Sequence, residues 1–244
     1  MTAAVLTEWV PETSPRSRAR IAGVFYLICV VTGIFAIGAT AGRLVADDPA
    51  KTAANILANE TLYRAGLLAG FIAAAAYIVV AVLLYHLLKP VNRTMARASV
   101  LFNVLGCAVG SVSTVCALAP FVLLGKTYMS GFSAAQLQAL SYAFLKFGDE
   151  ATYVSLIFFG FYMFTIGCLI FRSTFLPRVL GVLVAAAGVS YLTYLWPPFA
   201  HSLQPFSMLP VMLGELGLTI WLLTAGVNAD RWSEVAGAAA AHRA

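Results

Sequence analysis

The sequence predicts an all-α polytopic membrane protein, a six-transmembrane-helix bundle with short amphipathic helices in the external loops and both termini cytoplasmic. Three observations predict it. The 244 residues are 61% hydrophobic and only 10% charged, whereas soluble domains carry about 25% charged side chains. The apolar excess lies in charge-free runs at 21–42, 65–88, 98–125 and 151–171, each long enough to cross a ~30 Å hydrocarbon core, which needs ~20 helical residues. A further charge-free run, 179–214, holds Pro197, Pro198, Pro205 and Pro210. These prolines divide it into two crossings.

The third observation is where the cations fall. Arg16, Arg18, Arg20, Lys89, Arg93, Arg97, Arg172, Arg178, Arg231 and Arg243 lie on one side; Arg43, Lys51, Arg64, Lys126 and Lys146 lie on the other. The richer side, with both termini, is cytoplasmic by the positive-inside bias. Topology thus accounts for the formal net charge of +5, and no nucleic-acid partner is implied. The expected helices are 21–42, 63–88, 97–124, 150–171, 179–196 and 207–227. They form one domain over 20–228, between a flexible segment 1–19 and a tail 229–244 expected to be disordered. The bundle's partner is the lipid bilayer.

Before the first helix, Arg16, Arg18 and Arg20 anchor its cytoplasmic end and offer charge to anionic lipid, while Trp9 is placed at the interface. The first run is too long for a signal-peptide core. It ends in Gly38-x-x-x-Gly42, a spacing that lets helix backbones approach closely. In the first external loop, Asp47-Asp48-Pro49 reads as an N-cap followed by proline at an opening position. Ala53, Ile56 and Leu57 then share one face of a short helix.

The second crossing carries Gly66-x-x-x-Gly70 and Tyr77. Pro90 ends it in a short turn to the third, whose 28 uncharged residues exceed the bilayer and call for a tilt, a kink at Pro120 or emergence from it. Gly106-x-x-x-Gly110 with Ser111, Ser113 and Thr114 makes the third crossing the most polar at mid-depth, and therefore inward-facing. Ser133 with Gln136 forms a capping box opening an amphipathic helix that Gly148 is expected to break. Asp149 and Glu150 then open the fourth crossing, at the positive end of its dipole. Tyr153, Phe158, Phe159, Phe161, Tyr162 and Phe164 crowd that helix. Pro177 sets the start of the fifth, which ends in an aromatic belt of Tyr191, Tyr194 and Trp196.

Within the sixth crossing stands one carboxylate, Glu215, far from the nearest charged neighbours in sequence. An acid at a helix centre costs roughly 2.5–3.5 kcal/mol on insertion scales measured for Asp, so it turns inward to a partner. The candidate partners at that depth are Tyr77, Ser111, Ser113, Thr114 and Tyr162. Asp47, Asp48, Asp149 and Glu150 make a candidate acidic rim at the outer face.

Four stretches in order resemble the bacterial multi-pass membrane proteins grouped as domain of unknown function 4386. They are Arg20-Ile-Ala-Gly23-Val-Phe-Tyr26-Leu27, Lys89-Pro90-Val91-Asn92-Arg93, Ser173-Thr-Phe-Leu176-Pro177-Arg178-Val-Leu180-Gly181, and Gly214-Glu215 with Trp221-Leu-Leu and Gly226-Val227-Asn228. The resemblance implies an inner-membrane protein and supplies no activity. Where the family pattern often carries His just before the acid that opens the fourth crossing, this chain has Gly148.

No catalytic motif, phosphate loop or dinucleotide fingerprint is found. His86, His201 and His242 fall at different depths, so no metal or cofactor is expected. Cys29, Cys107, Cys116 and Cys168 lie inside apolar runs without metal-ligand spacing. The leading reading is a structural, sensory or partner-binding protein in which Glu215 is a buried hydrogen-bonding pin between helices. The alternatives are small-molecule or proton-coupled transport through an outward-facing cavity reaching Glu215, and a membrane-embedded enzyme with an outer-rim site.

Overall fold

The computed structural model describes residues 14–40, 42–125 and 131–241, and every regular element among them is helical. Trp9, Lys126, His242 and Arg243 lie outside the described residues. α1 (Pro15–Ala39) starts where Ser14 accepts from the Ser17 N–H at 3.2 Å and Pro15 fills the first turn. It begins earlier than expected, because a capping serine and a proline with no amide hydrogen suit a helix opening better than a flexible lead-in. α2 (Pro49–Ala58) is the short loop helix, with Asp48 accepting from the Lys51 N–H at 2.7 Å as the cap.

α3 (Glu60–Leu88) and α4 (Arg93–Cys116) follow, the latter capped by Asn92. The chain breaks after Cys116 and resumes as α5 (Ala119–Leu123), with Pro120 in its first turn. This is the interruption expected from that proline. α6 (Ala134–Arg172) opens with both halves of the Ser133–Gln136 capping box and runs 39 residues without a break. Gly148 therefore continues a helix that it was expected to end, and Asp149 and Glu150 sit in mid-helix. A Cβ at Gly148 would meet Cys116 Cβ at 3.2 Å and Ser113 O at 3.3 Å, so this glycine serves close packing against α4. At 1.5 Å per residue α6 is about 58 Å long, well beyond a bilayer core.

α7 (Arg178–Leu192) ends in a single 3-10 turn, Thr193–Leu195. α8 (Pro197–Ser202) lies in the third loop, and α9 (Met208–Thr224) carries Glu215. The tail expected to be disordered forms α10 (Ala229–Ala241). It is capped by Asn228, which accepts from the Arg231 N–H at 3.0 Å, and tied down by Trp232 Nε1 donating to Leu87 O at 2.8 Å.

Five spans, supplied by α1, α3, α4 with α5, α6 and α7 with its final turn, are long and apolar enough to cross a membrane. α9, 17 residues long, meets the same measure only together with α10, from which a 101° bend separates it; counted as one bent span, the pair brings the number to six. The protein is a multi-pass membrane protein.

The six crossings form a closed ring. α1 packs on α3, α3 on α4, α4 on α6, α6 on α7, α7 on α9, and α9 returns to α1. Closure brings both described ends of the bundle together: Arg20 Nη2 donates to Thr224 O at 3.5 Å, and a Cβ on Gly23 would meet Leu223 N at 2.8 Å. This is the terminal end; α2, α5 and α8 lie at the opposite, loop end.

The α6–α7 seam is set by two glycines on each helix, seven residues apart. A Cβ on Gly181 would meet Gly167 O at 2.8 Å, and one on Gly188 would meet Gly160 O at 2.8 Å. Backbone lies on backbone here, the geometry that dispersion favours between helices in lipid. A Cβ on Gly38 would meet nothing within 4 Å, so the close helix approach expected from Gly38-x-x-x-Gly42 is absent at that residue.

The large core fills the terminal half of the ring, from Ala19 and Ala22 through Leu84, Leu87 and Leu88 to Ile166, Leu169, Ile170 and Leu222. A smaller cluster of Leu44, Ile56, Tyr63, Leu67 and Leu145 closes the loop end.

Candidate functional site

Glu215 lies on the inward arc of α9. Val211, Leu218, Thr219 and Leu222 stand at helical spacing from it and are buried, whereas Leu209, Met212, Leu213 and Ile220 are exposed. Gly214 lets that arc press onto α7, where an added Cβ would meet Leu183 O at 2.8 Å and Ala187 Cβ at 3.2 Å. The close approach brings Tyr191 of α7 within reach, and its hydroxyl donates to Glu215 Oε1 at 3.3 Å. Thr219 Oγ1 donates back to Glu215 O at 2.7 Å, within the helix. The glutamate itself is half-buried.

The partner is thus Tyr191, which the sequence assigned to an interfacial belt. α7 turns this tyrosine toward α9 in its last turn. Two of the expected residues do share the interior. Tyr77 of α3 and Tyr162 of α6 meet edge to face with ring centroids 5.4 Å apart, and Tyr77 also touches Phe159 at 5.2 Å. Tyr26 of α1 completes the group, 5.8 Å from Tyr77, its hydroxyl making a long contact of 3.9 Å with Met163 Sδ. Of these tyrosines, Tyr191 is the one that bonds the Glu215 carboxylate among the described residues.

The hydroxyls of Tyr77 and Tyr162 are buried and have no hydrogen-bond partner among the described residues, nor has Asn103 Nδ2. A buried polar group without a partner costs free energy, of order 1–3 kcal/mol in protein mutational data. These are the atoms able to take up a polar guest or an ordered water.

Ser111, Ser113 and Thr114 are placed elsewhere. Ser111 Oγ donates to Cys107 O at 2.8 Å within α4, and Ser113 faces Gly148 of α6. Thr114 is half-buried on the same helix. Of the three, Ser113 stands in the α4–α6 seam, and none bonds Glu215 among the described residues. Tyr26 was missed as a site residue, although Ala19, Ala22 and Gly23 stand on its helical face. A small-residue strip ending in one tyrosine is the signal for it.

At the loop end the four acids do not converge. Asp48 caps α2. Asp47 and Asp149 line one cleft of about 210 Å³ with Tyr63 and Ser113. Asp149 and Glu150 line a second of about 450 Å³ with Tyr153 and His201. Lys146 Nζ lies 3.3 Å from Asp149 Oδ2, which compensates part of that charge. Tyr153 stacks on Tyr194 at 5.1 Å, with His201 edge-on to Tyr153 at 5.4 Å. Glu215 lines neither cleft.

Among the described residues no group of three or more His, Cys, Asp or Glu side chains is arranged to hold a metal ion. Cys107 and Cys116 are buried and Cys29 and Cys168 half-buried, all four as free thiols. The core-side chemistry is therefore one carboxylate, four tyrosine hydroxyls and an amide.

Comparison with known proteins bears on what that chemistry serves. The family model described as "Domain of unknown function (DUF4386)" matches residues 21–226, which takes in every crossing and Glu215. Among curated proteins, the chain is similar to an uncharacterized protein of Archaeoglobus fulgidus, 26% identical over 149 residues, covering 61% of this chain and 76% of that relative. No solved structure matches.

Proposed function

The chain belongs to the family described as domain of unknown function (DUF4386), and from that premise we propose that it is a structural, sensory or partner-binding protein of the bacterial inner membrane, with Glu215 as a hydrogen-bonding pin between α7 and α9. The observation that carries this reading is the Tyr191 hydroxyl donated to Glu215 across the helix seam at 3.3 Å. Hydrogen bonds between transmembrane helices average only ~0.6 kcal/mol. Against a cost of roughly 2.5–3.5 kcal/mol for an acid at mid-helix, one such bond selects which helices meet more than it strengthens their meeting.

Two of the rim acids, Asp48 as a cap and Asp149 in an ion pair, have structural work, which weighs against an outer-rim enzyme. The terminal end, with Arg16, Arg18 and Arg20, faces the cytoplasm and its anionic leaflet in this reading, which the distribution of cations supports.

The experiment compares Glu215→Gln with Glu215→Ala by thermal unfolding of the purified protein in detergent. Gln keeps a carbonyl oxygen for the Tyr191 donor and is expected to retain the fold, while Ala leaves Tyr191 unpartnered and lowers stability by about 1–3 kcal/mol. Equal stability of the two variants would refute the pin.

A second reading, transport or binding of a small molecule or proton through a cavity reaching Glu215, is favoured by the unpartnered hydroxyls of Tyr77 and Tyr162. It predicts that both variants fold and that a proton-linked flux in vesicles disappears with each.

A further inference from the structure

The elbow where α9 turns into α10 holds a cleft of about 350 Å³, remote from the loop-end clefts and lined in part by Arg16, Thr174, Trp221, Gly226, Asn228 and Arg231. Two guanidinium-bearing side chains border it from different elements. Arg16 comes from the first turn of α1, and its stem rests on Gly226, where a Cβ would meet Arg16 Cγ at 3.3 Å. Gly226 has φ 66°, a left-handed conformation that glycine adopts without strain and that turns the chain toward α10. Arg231 comes from the first turn of α10, held by Nη1 donating to Thr174 O at 3.3 Å.

The other arginines of the first cluster are committed elsewhere. Arg20 covers Thr224 O at the end of α9, and Arg18 turns its Nε into the protein. The acids on α10, Asp230 and Glu234, form no ion pair with Arg16 or Arg231 among the described residues; both ion pairs there join Arg64 to Glu60 and Lys146 to Asp149. Among the described residues, the two guanidinium groups at the elbow thus have no ion-pair partner.

Its depth follows from the bend. With α9 crossing the bilayer, a 101° turn lays α10 along the membrane surface and sets the elbow at headgroup level. Below it, Trp221, Ile220 and Leu213 are 37%, 59% and 59% exposed on α9. A tryptophan at this boundary is the usual interfacial anchor, and the apolar residues beneath it suit acyl chains.

We propose that the elbow cleft binds the phosphate-bearing headgroup of an anionic phospholipid, with Arg16 and Arg231 meeting the phosphate and the acyl chains lying along the exposed face of α9. Guanidinium groups meet phosphate oxygens in paired hydrogen bonds, and the apolar strip below favours a lipid over a soluble anion. Which leaflet supplies the lipid rests on the orientation proposed above. Binding in detergent is independent of that orientation, so the two fail separately.

The test is native mass spectrometry of the full chain in non-ionic detergent, titrated with phosphatidylglycerol or with phosphatidylcholine of the same chains. Phosphatidylglycerol is expected to bind preferentially. The preference should weaken roughly fivefold for each arginine removed in Arg16→Gln and Arg231→Gln, and survive in Lys89→Gln with Arg93→Gln at the same end. Equal binding of the two lipids, or equal weakening by the control pair, overturns the site. Displacement of phosphatidylglycerol by millimolar inorganic phosphate overturns the lipid assignment in favour of a soluble anion. Should the double arginine variant not fold, the lipid comparison and the phosphate competition on the unmodified chain still decide.

Discussion

The two ends of the ring are built by different physics. At the terminal end, helices meet through fully buried aliphatic side chains and through glycines that bring backbones together, as at Gly167 with Gly181 and Gly23 with Leu223. Arg16, Arg20, Arg93 and Arg231 stand at that end without an ion pair among the described residues. At the loop end, order comes from caps, from the exposed ion pairs Arg64–Glu60 and Lys146–Asp149, and from a small cluster under α2 and α5. Exposed pairs contribute about 0–1 kcal/mol, whereas overpacking a tight backbone contact costs about 1–3 kcal/mol. The terminal end should thus govern stability, and the loop end should tolerate change.

Gly148→Pro breaks this comparison most severely, because it strikes the middle of the longest helix, the 39-residue α6. In a continuous α6 it removes a backbone hydrogen bond in mid-helix and costs about 3 kcal/mol or more, seen as loss of folded protein in a thermal melt. A melt unchanged by this substitution would restore the helix break expected from the sequence.

Gly181→Ala comes next. Its Cβ would fall 2.5 Å from Phe171 N and 2.8 Å from Gly167 O, so a loss of about 1–3 kcal/mol is expected. The matching loop-end change, Gly148→Ala, meets its nearest atoms at 3.2 to 3.4 Å and gains about 1 kcal/mol of helix propensity, leaving stability nearly unchanged. If the two alanines cost the same, the contrast between the ends is wrong.

Asp48→Ala has a smaller effect. Loss of the bond to the Lys51 N–H should cost about 1 kcal/mol, read as faster amide exchange over Pro49–Ala58 with little change in the global melt.

Much of the ring was legible in the sequence. Charge-free runs locate crossings because burying a charge in hydrocarbon is costly, and the prolines at 197, 198, 205 and 210 divided the last run correctly. The caps at Asp48 and Ser133 were legible for the same local reason, since a side-chain acceptor near free amides needs no tertiary partner.

What escaped depended on how helices turn against one another. Gly148 looks like a breaker until Ser113 and Cys116 of α4 are packed over it. Tyr191 looks like a belt residue until α7 is placed beside α9. The heptad spacing of Gly160 with Gly167, and of Gly181 with Gly188, stands in the sequence, but its meaning needs the antiparallel register of α6 and α7. α10 escaped because an alanine-rich tail is held by Trp232 bonding a carbonyl far away in sequence, at Leu87.

The interior pin is tested most directly by a double-mutant cycle on Tyr191→Phe and Glu215→Ala, each of which removes the bond, followed by unfolding in detergent. Tyr191 and Glu215 in direct contact predict a coupling of about 0.6 kcal/mol, with 1.7 kcal/mol as the upper bound for such pairs. Strict additivity of the two substitutions would contradict the contact, and with it the inward carboxylate around which the ring is read.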